Sequence, residues 1–265
     1  MPELPEVEFA AQRLRDAVTN QTIVSAHARH PSTARTLTPA TCHALVGRQV
    51  RAVERRAKVQ LVHLDDDSTL AVHFRMTGDW DIGRAVDAAA AYERAQFIFA
   101  NGCRVSFTDS RAFGVLALYA PGTLVLPAYG PEPLSDAFDA NALHHALATR
   151  RGPIKSALLD QRVVAGLGNI YAAEALWVAR IRPDIAANRI ARVRVARLRD
   201  GIRLVLELAP STRYYDRAPS AQDIVTDEPW RVYGREGQPC ARCGSAIARI
   251  VQAGRSTFYC CRCQR

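Results

Sequence analysis

Four groups of residues in this chain have types and spacing that can do chemistry: the N-terminal stretch, two isolated lysines, a cysteine cluster near the C-terminus, and several short loops that carry arginine and glycine. The chain opens Met1-Pro2-Glu3-Leu4-Pro5-Glu6-Val7-Glu8. Removal of Met1 turns Pro2 into a free secondary amine, which can attack an electrophilic sugar carbon such as C1′ and form an iminium. Glu3, its neighbour, can carry protons to or from the opening sugar. Val7, Ala11, Leu14 and Val18 recur at helical spacing, so a helix is expected to start near Pro5, where proline's missing N–H has no partner to lose. Glu6 and Glu8 then fall in the first turn, which favours anions. The same positive helix end disfavours an ammonium on Pro2. A generic α-amino group titrates at about 7.7–8.0, so a small depression keeps the amine nucleophilic.

Of 35 basic residues only Lys58 and Lys155 are lysines. Arginine cannot give up its proton and its planar fork does not fit where a compact ammonium does, so these two positions are candidates for lysine-specific chemistry. Five of seven cysteines lie in the last 26 residues, and Cys240-x2-Cys243 is separated from Cys260-x2-Cys263 by sixteen residues. Two such knuckles suit a tetrahedral four-sulfur zinc site on a β-hairpin. Four cysteines leave no open position for water, so one structural zinc ion is expected. Cys261 is left over as a spare thiol, and Cys42 and Cys103 read as small buried hydrophobes. Between the knuckles, Arg255 sits where a hairpin tip could grip phosphate bidentately.

The elements that must position these groups follow from the rest of the chain. At 265 residues it is long enough for two domains. The net charge of +9 and pI near 9.5 point to a polyanionic partner such as nucleic acid. No apolar run reaches membrane-spanning length and the acidic, helical N-terminus is unlike a signal peptide, so a cytoplasmic, nucleoid-associated protein with no membrane partner is expected. Residues 20–120 read as strands, among them 49–55, 58–64 and 69–76, with a hairpin of 96–100 and 104–108 joined by Asn101-Gly102 as a type I′ turn. Prolines and glycines mark 126–135 as a hinge. Helices are expected at 136–149, 154–161, 169–179 and 190–208, followed by a mobile loop at 210–229. The resulting domains are 1–125, 136–230 and the cysteine unit 231–265.

Several segments resemble the formamidopyrimidine-DNA glycosylases, and the resemblance covers nearly the whole chain. They are the opening octapeptide, Arg55-Arg56-Ala57-Lys58, His73-Phe74-Arg75-Met76-Thr77-Gly78, Asp109-Ser110-Arg111-Ala112-Phe113-Gly114, Gly130-Pro131-Glu132-Pro133-Leu134, Gly166-Leu167-Gly168-Asn169-Ile170-Tyr171 and Val232-Tyr233-Gly234-Arg235 before the cysteines. Both lysines fall on lysine positions of the family. The resemblance implies an α+β protein, with an N-terminal helix and antiparallel β-sandwich and a C-terminal helix–two-turn–helix domain bearing a zinc-finger hairpin with four cysteine ligands. It implies a monomeric base-excision repair enzyme that takes oxidised purines from damaged double-stranded DNA and cuts the strand by β,δ-elimination. Pro2 is then the nucleophile, with Glu3 and Lys58 catalytic and Glu6 and Lys155 in support. Such an enzyme must extrude its target nucleotide. Met76 and Phe113 would fill the gap and Arg111 would meet the widowed base. Arg94, Asn169 and Arg255 would bind phosphate, Asn169 also capping the helix after the glycine turn. A Rossmann reading of that turn fails because Tyr171 stands where a third glycine belongs.

Departures from the family pattern are also informative. Ser110 and Ala112 replace the proline and second arginine of the family's DPRRFG loop, Arg94 replaces a histidine, and the 210–229 loop lacks the usual double glycine over an extruded 8-oxoguanine. Two other readings are an endonuclease VIII-like enzyme for oxidised pyrimidines, against which Leu4 argues, and a non-catalytic zinc-ribbon DNA-binding protein, against which Pro2, Glu3 and Lys58 together argue.

Overall fold

The structure, a computed structural model, describes residues 1–209 and 230–265. The loop expected at 210–229 lies outside the described residues. The chain forms two compact units, Met1–Pro127 and Ala128–Arg265.

The first unit runs α1 (Leu4–Val18), β1 (Ile23–Ala28), α2 (Pro31–Ala34), α3 (Pro39–Leu45), β2 (Val50–Arg56), β3 (Val59–Leu64), β4 (Thr69–His73), β5 (Gly78–Arg84), β6 (Glu93–Phe99), β7 (Cys103–Asp109) and β8 (Val115–Tyr119). Two four-stranded antiparallel sheets form, in the orders β1-β6-β7-β5 and β2-β3-β4-β8. Their inner faces and the apolar stripe of α1, including Val7, Ala11, Leu14 and Val18, share one core. Phe74, Trp80 and Phe107 stack there with ring centroids 5.5–5.9 Å apart, and the buried Gln60 of β3 accepts a 2.7 Å bond from the Trp80 indole of β5, tying one sheet to the other.

The first unit departs from the sequence expectation in three places. The region read as strands contains α2 and α3, each started by a proline at its first position. The ring of His30 and the hydroxyl of Thr38 accept the orphan N–H groups of these helices. The strand expected over 69–76 stops at His73, because the chain turns to cross between sheets. Arg75 takes a left-handed conformation with φ +58°, and its N–H donates to His73 Nδ1 at 3.0 Å. Finally, the Asn-Gly turn is not type I′. Only Gly102 has positive φ (+79°), and Gly102 N–H donates to Phe99 O. The connection is therefore a three-residue loop, a type I turn ending in one left-handed glycine.

The second unit comprises α4 (Ala140–Ala148), α5 (Ile154–Leu159), α6 (Asn169–Val178), α7 (Arg192–Leu208) and a hairpin of β9 (Ile247–Gln252) and β10 (Arg255–Cys260). α6 is buried on nearly every side, from Ile170 to Trp177, as a central core helix must be. Residues expected to hinge are bonded into this unit: Gly130 N–H donates to Gln161 O, and Pro131 O accepts from Ala165 N–H. The cysteine unit also packs onto α6, through Ala173, Trp177, Val232, Cys240, Ile247 and Cys260. Gln264 secures it further, accepting from Cys260 N–H and donating to Ile181 O.

Glu174 of α6 is buried, and its carboxylate accepts three backbone N–H groups, from Arg231, Val232 and Tyr233, each at 2.9 Å. Burial pushes this carboxyl above the usual range, against the pull of those three bonds. Glu174→Ala removes the acceptor of all three bonds and leaves the buried Val232 N–H without it, so a loss of about 3 kcal/mol in unfolding free energy is expected from urea titration. A loss under about 1 kcal/mol, the worth of an ordinary hydrogen bond, would contradict the anchoring role.

Candidate active site and nucleic-acid interface

The helix start at the N-terminus is fixed by a reciprocal pair. Glu3 N–H donates to Glu6 Oε2 at 2.7 Å, and the Glu3 side chain accepts from Glu6 N–H, forming a capping box with Glu3 as N-cap. Glu3 is 1% exposed, so its carboxylate is held in a dry position next to half-buried Pro2. Glu6, expected to support the reaction, thereby orients Glu3 and the peptide that follows Pro2. Toward its N-terminal end α1 is bonded to the far end of β2, Glu8 accepting from Arg55 Nε at 2.6 Å. Further along, Arg15 Nε donates to Val53 O. The helix therefore runs antiparallel to β2, and its N-terminus points toward the β2–β3 turn.

That turn is Ala57-Lys58, two residues between paired Arg56 and Val59. Ala57 is left-handed at φ +53°, a strained conformation for alanine that costs roughly 1–2 kcal/mol, and Arg55 Nη1 donates to its carbonyl. The turn presents Lys58, which is almost fully buried. Val59 pairs with His73 at the end of β4, and His73 pairs with Val115 at the start of β8. Lys58, the 74–77 turn with half-buried Met76, and the 110–114 loop with exposed Arg111 and Phe113 thus gather at one end of the first unit, the end toward which Pro2 points. The Arg111 guanidinium lies 5.1 Å over the Phe113 ring. Arg94, expected on phosphate, donates from Nε to Asp109 O at 2.7 Å and from Nη2 to Ser110 O at 3.3 Å, so it braces the loop carrying Arg111.

His73 was not singled out by the sequence. Burial first, then the cations Arg75 and Lys58, push its imidazole down to about 4. Its Nδ1 accepts the Arg75 N–H, which a neutral ring can do.

In the second unit the glycine turn and the hairpin converge. Gly166 is left-handed (φ +78°), and its N–H donates to Gln161 Oε1. Asn169 does not cap α6; Gly168 is the N-cap, and Asn169 Nδ2 donates instead to Ser256 O at 3.1 Å. Lys155, on α5, is 1% exposed, and its ammonium donates to the same Ser256 O at 2.9 Å and to Thr257 Oγ1 at 2.6 Å. Lys155 therefore bolts β10 to α5, and Asn169 bolts it to the start of α6. The hairpin turn, Ala253-Gly254, has positive φ at both residues and matches type I′ geometry, which leaves Arg255 exposed at the tip.

At the hairpin base, the sulfurs of Cys240, Cys243, Cys260 and Cys263 all lie within 4.8 Å of one another, with 3.9 Å between Cys240 and Cys263 and 3.5 Å between Cys243 and Cys260. A tetrahedral zinc–thiolate site places sulfurs roughly 3.8 Å apart, so the cradle fits. Hydrogen bonds from Ser245 draw the Cys243 thiol down to about 6, whereas burial and the three neighbouring sulfurs push Cys263 up to about 12. Four thiols this close ionise together only around a cation. Cys261 is exposed and outside the cluster.

Three family models match the chain: the formamidopyrimidine-DNA glycosylase N-terminal domain over residues 1–116, the H2TH domain of the same enzymes over 129–213, and a zinc finger found in FPG and IleRS over 237–265. A formamidopyrimidine-DNA glycosylase of Paracoccus denitrificans is 40% identical over 281 aligned positions, covering all of both chains. Among solved structures, the Lactococcus lactis enzyme non-covalently bound to DNA containing an AP site is similar at 32% identity and TM-score 0.87, covering 99% of each chain. The wild-type L. lactis enzyme with DNA containing an oxidised pyrimidine is similar at 32% identity and TM-score 0.89 over the whole of both.

The half-buried imidazole of His73 makes stability depend on pH. Unfolded, it takes up a proton near pH 6.5; folded, it resists protonation until about 4. Between those values the unfolded state binds more protons, so stability falls as pH falls through this window. His73→Asn keeps an acceptor for Arg75 but cannot titrate. The stability difference between wild type and this variant is expected to narrow from pH 6.5 to 4 in denaturant titrations. Parallel curves would contradict it.

Proposed function

The chain belongs to the formamidopyrimidine-DNA glycosylase family and is a DNA repair glycosylase and lyase. From that premise we propose that it excises oxidised purines, 8-oxoguanine and formamidopyrimidines, from duplex DNA through a Schiff base on Pro2. The observation that carries this reading is the capped helix start. It aims Pro2 and the dry Glu3 carboxylate at the end of the unit where Lys58, Met76, Arg111 and Phe113 also stand.

The Pro2 amine attacks C1′ as the bond from C1′ to the damaged base breaks, and the departing base carries off the electron pair. Glu3 moves a proton at the sugar as the ring opens and the iminium forms. Successive β- and δ-eliminations expel the two flanking phosphates and leave a one-nucleotide gap. The Lys58 ammonium, held by a strained two-residue turn, stabilises the anionic sugar-phosphate. Met76 and Phe113 occupy the space the extruded nucleotide leaves. Arg111 donors match the O2 and N3 acceptors of an estranged cytosine, whereas adenine leaves a donor without a partner.

In the second unit, Asn169 and Arg255 bind phosphate, and Lys155 sets the hairpin that presents Arg255. One zinc ion on Cys240, Cys243, Cys260 and Cys263 supplies structure, not reactivity, since four thiolates leave no position for water. The protein works as a cytoplasmic, nucleoid-associated monomer on damaged double-stranded DNA. No helix among the described residues is long and apolar enough to cross a membrane. A second reading, removal of oxidised pyrimidines, is favoured by the likeness to the L. lactis complex with such DNA.

Borohydride added to the protein and 8-oxoguanine duplex is expected to give a covalent complex whose peptide map places the link on Pro2. A link on Lys58 or Lys155, or no complex, would overturn the assignment. Metal analysis is expected to give one zinc per chain. Cys243→Ser should release it and weaken duplex binding, because thiolate coordination supplies the hairpin's folding energy. Full DNA affinity without metal would contradict the role of the site.

A further inference from the structure

Asp109 lies at the end of β7, where it pairs with Gly78 at the start of β5, and it is 1% exposed. Its side chain stands between two loops. From the 74–77 turn, the Thr77 hydroxyl donates to Oδ1. From the 110–114 loop, Arg111 N–H donates to Oδ1 at 3.2 Å and Gly114 N–H donates to Oδ2 at 2.7 Å. Arg111 N–H is shared with the Thr77 hydroxyl, also at 3.2 Å. The backbone oxygen of Asp109 accepts from Arg94 Nε and Ala112 N–H.

The surroundings admit little else. A Cβ on Gly114 would collide with the Phe107 ring, and one on Gly78 would meet Phe74 O at 2.7 Å. Both glycines therefore let the loops close on the carboxylate. Ala112 is held left-handed at φ +57°, strain that persists only where surrounding structure dictates the conformation.

We infer that Asp109, with Thr77, is a positioning residue that locks the Met76 turn and the Arg111–Phe113 loop into one rigid unit, so that filling the gap and reading the opposite base are a single event. The inference rests on the proposed roles of Met76, Arg111 and Phe113. Thr77 is the link between the loops: it neighbours Met76 in sequence and shares its hydroxyl with Asp109 and the Arg111 backbone. With that link broken, Arg111 keeps its guanidinium but loses its fixed origin relative to Met76. A donor that can swing meets adenine's edge and cytosine's edge with less distinction.

Thr77 is exposed and valine matches its shape, so Thr77→Val deletes the bond at little risk to folding, which a thermal melt verifies. Single-turnover excision of 8-oxoguanine is measured opposite C and opposite A for wild type, Thr77→Val and Thr77→Ser, which restores a hydroxyl. A 2-aminopurine opposite the lesion reports base displacement. Borohydride trapping on a single-stranded abasic oligonucleotide, which has no opposite base, reports the chemistry alone. Wild type is expected to prefer C over A by about tenfold to hundredfold, the worth of one unmatched buried donor. Thr77→Val is expected to lose most of that preference and to slow or blunt the 2-aminopurine change, with trapping unchanged and Thr77→Ser close to wild type. The inference is overturned if Thr77→Val keeps the full preference, if wild type has none to lose, or if trapping falls in parallel and serine fails to restore it. Failure of wild type to trap at all would instead remove the proposed function on which the inference rests.

Discussion

The capping box at the start of α1 is the constraint on which the geometry of the proposed site in the first unit depends. A nucleophile at a chain terminus is attached on one side only, and fraying is the default state of a terminus. Here Glu3 and Glu6 satisfy each other's backbone donors, and Leu4, Pro5 and Val7 are buried directly after them. The terminus is therefore held up to Pro2. The Glu8–Arg55 pair then fixes the helix against β2, and β2 delivers the Lys58 turn. Antiparallel pairing of β2, β3, β4 and β8 fixes where the loops bearing Met76, Arg111 and Phe113 emerge. The result is one end of the unit built from local hydrogen bonds and strand register, with strain admitted at Ala57 and Ala112, beside Lys58 and within the Arg111–Phe113 loop of the proposed site.

A different constraint organises the second unit. The hairpin of β9 and β10 is short and cannot bury a core of its own. It is fastened at its base by the cysteine cradle and Gln264, along its length by packing on α6, and near its tip by Lys155 and Asn169 meeting at Ser256. Arg255 is the next residue along, so a phosphate contact there inherits the rigidity of a helix core. This arrangement also accounts for a lysine at 155. A compact ammonium fits the buried position beside Ser256 O and Thr257 Oγ1, whereas a guanidinium brings five donors in a plane.

Much of this was legible in the sequence. Metal-ligand spacing is local and specific, and the four cysteines converge as their spacing requires. The helix start at Leu4 lies within a residue of the expected one, and the two lysines stand out against the arginine background, although Lys155 serves the hairpin. Contacts made by distant residues were not legible. Asn169 looks like a helix cap until Ser256, far along the chain, gives its amide a partner. Asp109 and Thr77 are ordinary polar residues in sequence, and only the pairing of Gly78 with Asp109 brings them together. Nothing local to Glu174 signals the three backbone donors from residues 231–233 that reach it. The short helices α2 and α3 did carry a local signal, Thr38 before Pro39 and a proline at 31, which the β-rich surroundings masked.

The proposed reactive group is a proline amine made free by loss of Met1. Intact-mass spectrometry of the purified protein, with the species retaining and lacking Met1 separated and each assayed for cleavage of an abasic duplex, tests it most directly. Activity is expected to reside entirely in the species lighter by one methionine, because a retained Met1 makes Pro2 an amide that cannot form an iminium. A species that keeps Met1 and cuts abasic DNA as fast as the other would contradict it.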